Sequence, residues 1–234
     1  MMSTEKKLRK KLAIAHHTLN YYGWDDLVST HISIRLEDDS VLITPHNVSF
    51  DRVNKNNIVR VDLDGNILSD NGYKVMPQAA NIHLETYKAR ADINAIIHTH
   101  SMYGVILSTL ESGMIFNNQQ VLRFYNDIAY HDYGSLALDN EGEEIAKSLG
   151  ANKNMMILHN HGLITTANSI ELALYKHYYF EKCAETQVKA LSTNQKLIEI
   201  PQEVCEKTAK QFSKSMNYKE AFDVFINQTK KYRS

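Results

Sequence analysis

Two short apolar runs constrain this chain more than any other feature: Ile93–His98 (INAIIH) and Met155–His159 (MMILH). Each runs into a His-x-His motif, His98-Thr99-His100 in the first case and His159-Asn160-His161 in the second. Apolar runs this short, rich in isoleucine, read as strands buried on both faces rather than as helices. A sheet covered on both faces needs helices on either side, which places the chain in the α/β class.

The segments between these runs supply the helices. Leu8, Leu12, Ala15 and Leu19 have helical spacing over 7–22, and Gly23 suits the helix end. His31–Leu36 and Ser40–Thr44 flank Glu37–Asp39 as a strand pair with a tight turn. Ile58–Asp62 is a further strand, followed by the hairpin signal Asp64-Gly65. Helices are expected from Pro77 to about Arg90 and over Tyr103–Leu110, and a short strand over Ile128–His131. Asn140–Glu143 and Asn168–Glu171 match capping boxes, the first opening a helix to Leu149 and the second a long helix to about Leu191. The polar remainder, 193–234, is expected to form a helix pair packed on the body or on a neighbouring subunit. The early hairpins make the sheet mixed or largely antiparallel. No repeat or linker interrupts the chain, so residues 1–234 are read as one domain, with a core over about 8–191 and a C-terminal helical segment over about 192–234.

Composition excludes several classes. With 43% hydrophobic and 23% charged residues the chain is globular rather than disordered. A net charge of −1 lacks the basic excess of a nucleic-acid binder and gives no electrostatic attraction to acidic membranes. No apolar run is long enough to span a bilayer. The opening MMSTEKKLRKKL has no apolar signal core and reads as a solvated helix start. Two cysteines, Cys183 and Cys205, form no disulfide framework or thiolate motif, which leaves a reducing cytoplasm as the expected location.

In a strand, side chains at i and i+2 leave the same face, so His98 and His100 present two imidazoles together. A third imidazole from the His159-Asn160-His161 segment would complete a site for a divalent metal of the Zn²⁺ type with open positions for substrate. Gly162 would let the backbone turn beside a crowded centre. A single His-x-His is more often a polar strand end. Two of them, each after an apolar strand, favour a metal.

At this point the chain resembles the class II aldolase/adducin family. Ile93–His100 (INAIIHTH) and Leu158–Leu163 (LHNHGL) look like its two metal motifs; His83–Arg90 (HLETYKAR), Ser33 and Ile43–Pro45 fit in the same order. The resemblance implies a three-layer α/β/α fold with a central, mainly antiparallel sheet, and a homotetramer with active sites between subunits. Carried over by motif, the metal ligands are His98, His100 and His161, with His159 outside the ligand set.

The departures bear on chemistry. Sugar-phosphate-cleaving members carry Pro-Ser-Ser-Glu before the histidine that matches His83, the glutamate acting as acid/base. Here the segment is Met76-Pro77-Gln78-Ala79, and alanine transfers no proton. Thr30-His31 replaces the family's Gly-Asn, and Thr44-Pro45-His46-Asn47 its Thr-Pro-Ser-Gly loop. His31, Thr44 and Asn47 are therefore the implied substrate-binding positions of a rewritten phosphate cradle. Val121–Ala137 is closer to the adducin-like branch. Within it His131 and Tyr133, spaced i and i+2, could face the metal as catalytic residues in place of the missing acid. The plainer alternative is a strand with Tyr130 packed in the core and His131 at its edge. Asp25 and Asp26, beside Trp24, read as surface and capping residues, and Tyr175, Tyr178 and Tyr179 as packing residues. Two functions follow: a metal-dependent aldolase-like lyase acting on a small hydroxy-carbonyl substrate, or a non-catalytic oligomerisation module like the adducin head.

Overall fold

The computed structural model describes residues 4–137 and 139–232. Helix α1 (Thr4–Tyr22) buries Leu12, Ala15 and Leu19 and stops at Gly23, whose φ of +69° is the left-handed value glycine adopts freely. Strands β1 (His31–Arg35), β2 (Val41–Ile43) and β3 (Val59–Val61) follow. The Asp64-Gly65 turn returns the chain only to a single bridge between Val61 and Ile67. Helix α2 (Pro77–Ala89) begins on Pro77, where a missing N–H costs nothing. Then come β4 (Ala95–Thr99), α3 (Met102–Ser108), β5 (Ile128–His131), α4 (Glu141–Leu149), β6 (Met155–Leu158), β7 (Gly162–Ala167) and α5 (Ile170–Leu191). Helices α6 (Gln202–Lys214) and α7 (Tyr218–Gln228) follow, and a 3-10 turn over Lys230–Tyr232 ends the described chain.

The seven strands form one sheet in the order β3-β2-β1-β4-β7-β6-β5, every pair antiparallel except β5 with β6. Strand alternation sorts the side chains into layers. Ile32, Ile34, Leu42, Ala95 and Ile97 pack against α1, α5 and α7 through Leu12, Leu19, Leu174 and Phe225. Val41, Ile43, Ile96, Met156 and Ile164 on the opposite face meet Ile82 and Tyr87 of α2 and Ile145 and Leu149 of α4. A third cluster joins Leu107, Met155, Leu163, Phe180 and Cys205 at the β6 end. The result is the expected α/β/α arrangement, and no described helix is long and apolar enough to cross a membrane.

Two local expectations are corrected, and one strand was not anticipated from the sequence. Strand β7, next to β4 at the centre of the sheet, has no apolar signature because Thr165 and Thr166 interrupt it. Both are nevertheless buried, since Thr165 hydrogen-bonds His177 and Thr166 donates to the Asn154 carbonyl. The capping boxes do not form: the Asn140 side chain caps nothing, and α5 is capped by Ser169, whose hydroxyl accepts from the Leu172 N–H. On β5 it is Ile128 and Ala129 that are buried, while Tyr130 lies exposed and accepts the Met114 N–H at its hydroxyl. The C-terminal helices pack on the body through Cys205 and Phe212 of α6 and through Phe222 and Phe225 of α7.

Candidate metal centre

Strand β4 directs His98 to the α2/α4 face, and its antiparallel register sets His98 opposite His31 of β1 and Ile164 of β7. His100 follows one residue beyond the strand's last position, Thr99. The β6–β7 connection turns through Asn160, whose φ is +56°, and returns His161 to the same edge. The left-handed residue is thus Asn160. Gly162 serves a different need, because a Cβ there would lie 2.3 Å from the Thr99 carbonyl oxygen. Only glycine lets β7 come this close to the end of β4.

His98 meets both other rings edge to face, with centroids 4.6 Å from His100 and 4.8 Å from His161, while His100 and His161 are tilted at 47° with centroids 4.7 Å apart. One ring nitrogen from each lies within 4.8 Å of the others. The outer hydrogen bonds set the tautomers. His98 Nδ1 is 3.0 Å from the Leu163 carbonyl oxygen and His100 Nδ1 is 3.3 Å from Asp26 Oδ2, so each ring places its proton on Nδ1. Their Nε2 lone pairs then face one another across 2.8 Å. Two facing lone pairs repel, and a cation between them converts repulsion into binding. Metal–nitrogen bonds of about 2.0–2.1 Å at tetrahedral angles ask for nitrogens about 3.3 Å apart, a small opening from this arrangement.

Burial keeps the site uncharged. Desolvation, then the neighbouring His100, His31 and His161, hold His98 well below the ordinary histidine range. Desolvation, then His100, lowers His161 to about 4, and desolvation lowers His100 against the opposing pull of Asp26. Neutral imidazole is the ligating form, so the donor set fits a divalent ion. Asp26 was read from the sequence as a surface residue. Lying in a loop, it has no local pattern that marks it as a partner of His100.

A cavity of about 300 Å³ opens on the three histidines and is lined also by His31, Gln78 and Tyr133. Behind His31 runs a buried polar chain: its Nδ1 is 2.8 Å from His83 Nε2, His83 Nδ1 bonds Ser33 Oγ, and Ser33 Oγ lies 2.8 Å from Tyr87 Oη. Tyr133 is 49% exposed with its ring 6.4 Å from that of His161, whereas His131 turns toward α4, with Nδ1 2.9 Å from Ser148 Oγ. His131 does not line this cavity. His159 also stands apart, with Nδ1 bonded to Asp132 Oδ1 at 2.7 Å.

Thr44 and Asn47 line a neighbouring cleft with His31 and Ala79. Its free space of about 10 Å³ suits one water molecule and not a phosphate. The Thr44 hydroxyl is already committed. His16 is neutral, its pKa lowered to about 3 chiefly by burial, and its Nδ1–H donates to the Leu12 carbonyl. His16 Nε2 therefore accepts the Thr44 hydroxyl proton at 2.8 Å, while Thr44 Oγ1 accepts the Ile32 N–H. Ala79 is buried, packed in the cluster of Ile82, Tyr87 and Leu158 and bordering the cleft of His31 and Thr44.

The family model for the class II aldolase and adducin N-terminal domain matches residues 10–188. The chain belongs to the class II aldolase and adducin family. A relative from Pseudomonas aeruginosa, named as an aldolase class 2 protein, is 32% identical over 204 residues, covering 86% of this chain and 78% of its own length. Mouse alpha-adducin is 32% identical over 194 residues, 81% of this chain, which spans only 26% of that protein. The crystal structure of an aldolase II superfamily protein from Pseudomonas syringae superposes with a TM-score of 0.93 at 31% identity, covering 100% of this chain and 96% of that one. The family fold thus extends through the C-terminal helices.

Proposed function

We propose that this chain is a metal-dependent, aldolase-like lyase acting on a small hydroxy-carbonyl compound without a phosphate group. The facing Nε2 atoms of His98 and His100, with His161 on the third side, carry the reading. These three residues would hold the ion, taken as Zn²⁺. When bound, such an ion supplies Lewis acidity where enediolate charge develops on the substrate's oxygens. The chain's own residues do the rest. His31, anchored through His83, offers its second ring nitrogen to a substrate oxygen in the cavity. Tyr133 Oη is the proton carrier of this reading because Tyr133 lines the cavity, whereas His131, bonded to Ser148 of α4, would act only through a rearrangement of the segment between them. The narrow cleft beside Thr44 and Asn47 supports a substrate lacking phosphate. We further take the protein as a single-domain homotetramer of the cytoplasm. Light scattering that gives a monomer mass at micromolar concentration would defeat the tetramer.

Ala79 favours a second reading. With no proton carrier at this buried position, the site could be retained in a non-catalytic module of the adducin-head type. The deciding experiment is turnover by metal-loaded protein on short sugars and hydroxy acids, alongside fuculose-, ribulose- and rhamnulose-type phosphates. The expected result is activity on an unphosphorylated compound, with phosphates slower by at least about 100-fold, the scale of a lost general acid–base. Ala79→Glu should raise the phosphate rates if the fold accommodates the carboxylate. Full metal occupancy with no turnover on any compound would leave the module reading in its place.

A further inference from the structure

On the opposite face of β4 from His98 lies a carboxylate that the proposed chemistry does not use. Glu181 of α5 is 2% exposed, and among the described residues no lysine or arginine pairs with it. Burial of a carboxylate is costly unless donors surround it. Here the donors are specific. Thr99 Oγ1 donates to Glu181 Oε1 at 2.6 Å, and Ser101 Oγ donates to Glu181 Oε2. His177, one turn earlier on α5, places Nε2 3.2 Å from Oε1 without hydrogen-bonding it, and its Nδ1 is tied to Thr165 of β7. The Ser101 hydroxyl also accepts the Gly104 N–H, which caps α3.

Thr99 and Ser101 are the two residues on either side of His100. Their side chains leave the backbone away from the histidines, as strand alternation requires. The carboxylate therefore grips the backbone on both sides of one ligand, with each oxygen taking one hydroxyl. On the outer nitrogen of His100 the partner among the described residues is Asp26, which is partly exposed. A neutral apolar residue would fill the same volume without holding the segment.

We infer that Glu181 is a positioning residue for the metal centre: through Thr99 and Ser101 it fixes the segment that sets His100 against His98. This inference rests on the metal reading of the three histidines. The test is the affinity of the full chain for Zn²⁺, measured by competition with a chromophoric chelator, with the absorption spectrum of the Co²⁺ form and the melting of the metal-free protein recorded in parallel. Thr99→Val removes one hydroxyl at constant shape. Glu181→Ala removes the clamp. Glu181→Gln keeps its length and one acceptor. Thr99→Val and Glu181→Ala should weaken Zn²⁺ binding by roughly 10–100-fold, the scale seen for groups that orient metal ligands. The Co²⁺ spectrum should change with them, and Glu181→Gln should recover most of the affinity. Should Glu181→Ala fail to fold, Thr99→Val decides. Wild-type protein that binds no Zn²⁺ defeats the metal reading itself. Wild-type binding matched by Thr99→Val and Glu181→Ala, with only melting lowered, overturns this inference alone and makes Glu181 a strut of the fold.

Discussion

His31 stands directly across from His98 in the antiparallel register of β1 and β4, with ring centroids 4.8 Å apart. Of the two, only His98 belongs to the group of three that can share an ion. The strand pairing thus sets a candidate ligand beside a residue whose Nδ1 is tied to His83. His31→Asn should leave Zn²⁺ affinity within about threefold while lowering turnover. Losing a partner for buried His83 should cost about 1–3 kcal/mol of stability. Chelator competition and urea unfolding measure the two effects separately. A collapse of affinity in this variant would make His31 a ligand.

Relief of the facing lone pairs would give a bound ion a stabilising role. Zn²⁺ at 100 times its dissociation constant should raise unfolding stability by about 2.7 kcal/mol, reversed by chelator. His161→Ala should abolish most of that gain, since two nitrogens remain from a set of three. Calorimetry with and without chelator reads both. A melting temperature indifferent to Zn²⁺ in the wild type would contradict the metal assignment.

Metal-free protein should lose stability in mild acid. Burial lowers His16 and His83 to about 3 from the ordinary 6.5. Between these values the unfolded chain holds more protons than the folded one, so stability rises with pH. The contribution is fully present above about pH 6.5 and drains away as pH falls toward 3. Well inside that window each histidine contributes a slope of about 1.4 kcal/mol per pH unit. Urea midpoints followed from pH 7.5 to 5 with chelator present should fall accordingly. His16→Gln should remove one histidine's share of the slope.

Gly162→Ala should damage the centre from outside the ligand set. The added methyl carbon would sit 2.3 Å from a backbone oxygen, which cannot rotate away, and 3.1 Å from the His100 ring. Overpacking of this kind costs about 1–3 kcal/mol. Here the displaced segment carries His100, so weaker Zn²⁺ binding should accompany the lower melting point. A variant with wild-type affinity would show that β4 and β7 separate without moving the ligand.

The histidine triplet was legible because strand geometry converts the spacing of His98 and His100 into a shared face, and the apolar runs mark the strands. Helices α1, α2 and α5 were legible from apolar spacing and from Gly23 and Pro77. What the sequence hid was the polar interior. Thr165 and Thr166 break the apolar pattern of β7, and their partners His177 and Asn154 come from other elements. Asp26, Glu181 and the chain from His31 to Tyr87 depend on contacts between distant segments, which no local window contains. The commitment of the Thr44 hydroxyl to His16 is hidden for the same reason.

The neighbouring positions of β4 and β7 have a kinetic consequence. His98 donates to the carbonyl of Leu163, 65 residues further along the chain, and the centre needs both segments. Closing so long a loop is a late and entropically costly event in folding. A chain that has formed only its early hairpin and first helices presents no set of three nitrogens. If β4 and β7 join only after the transition state, an ion bound between them slows unfolding while leaving the folding rate unchanged. Metal supply would then govern how long each folded molecule survives rather than how quickly it is made.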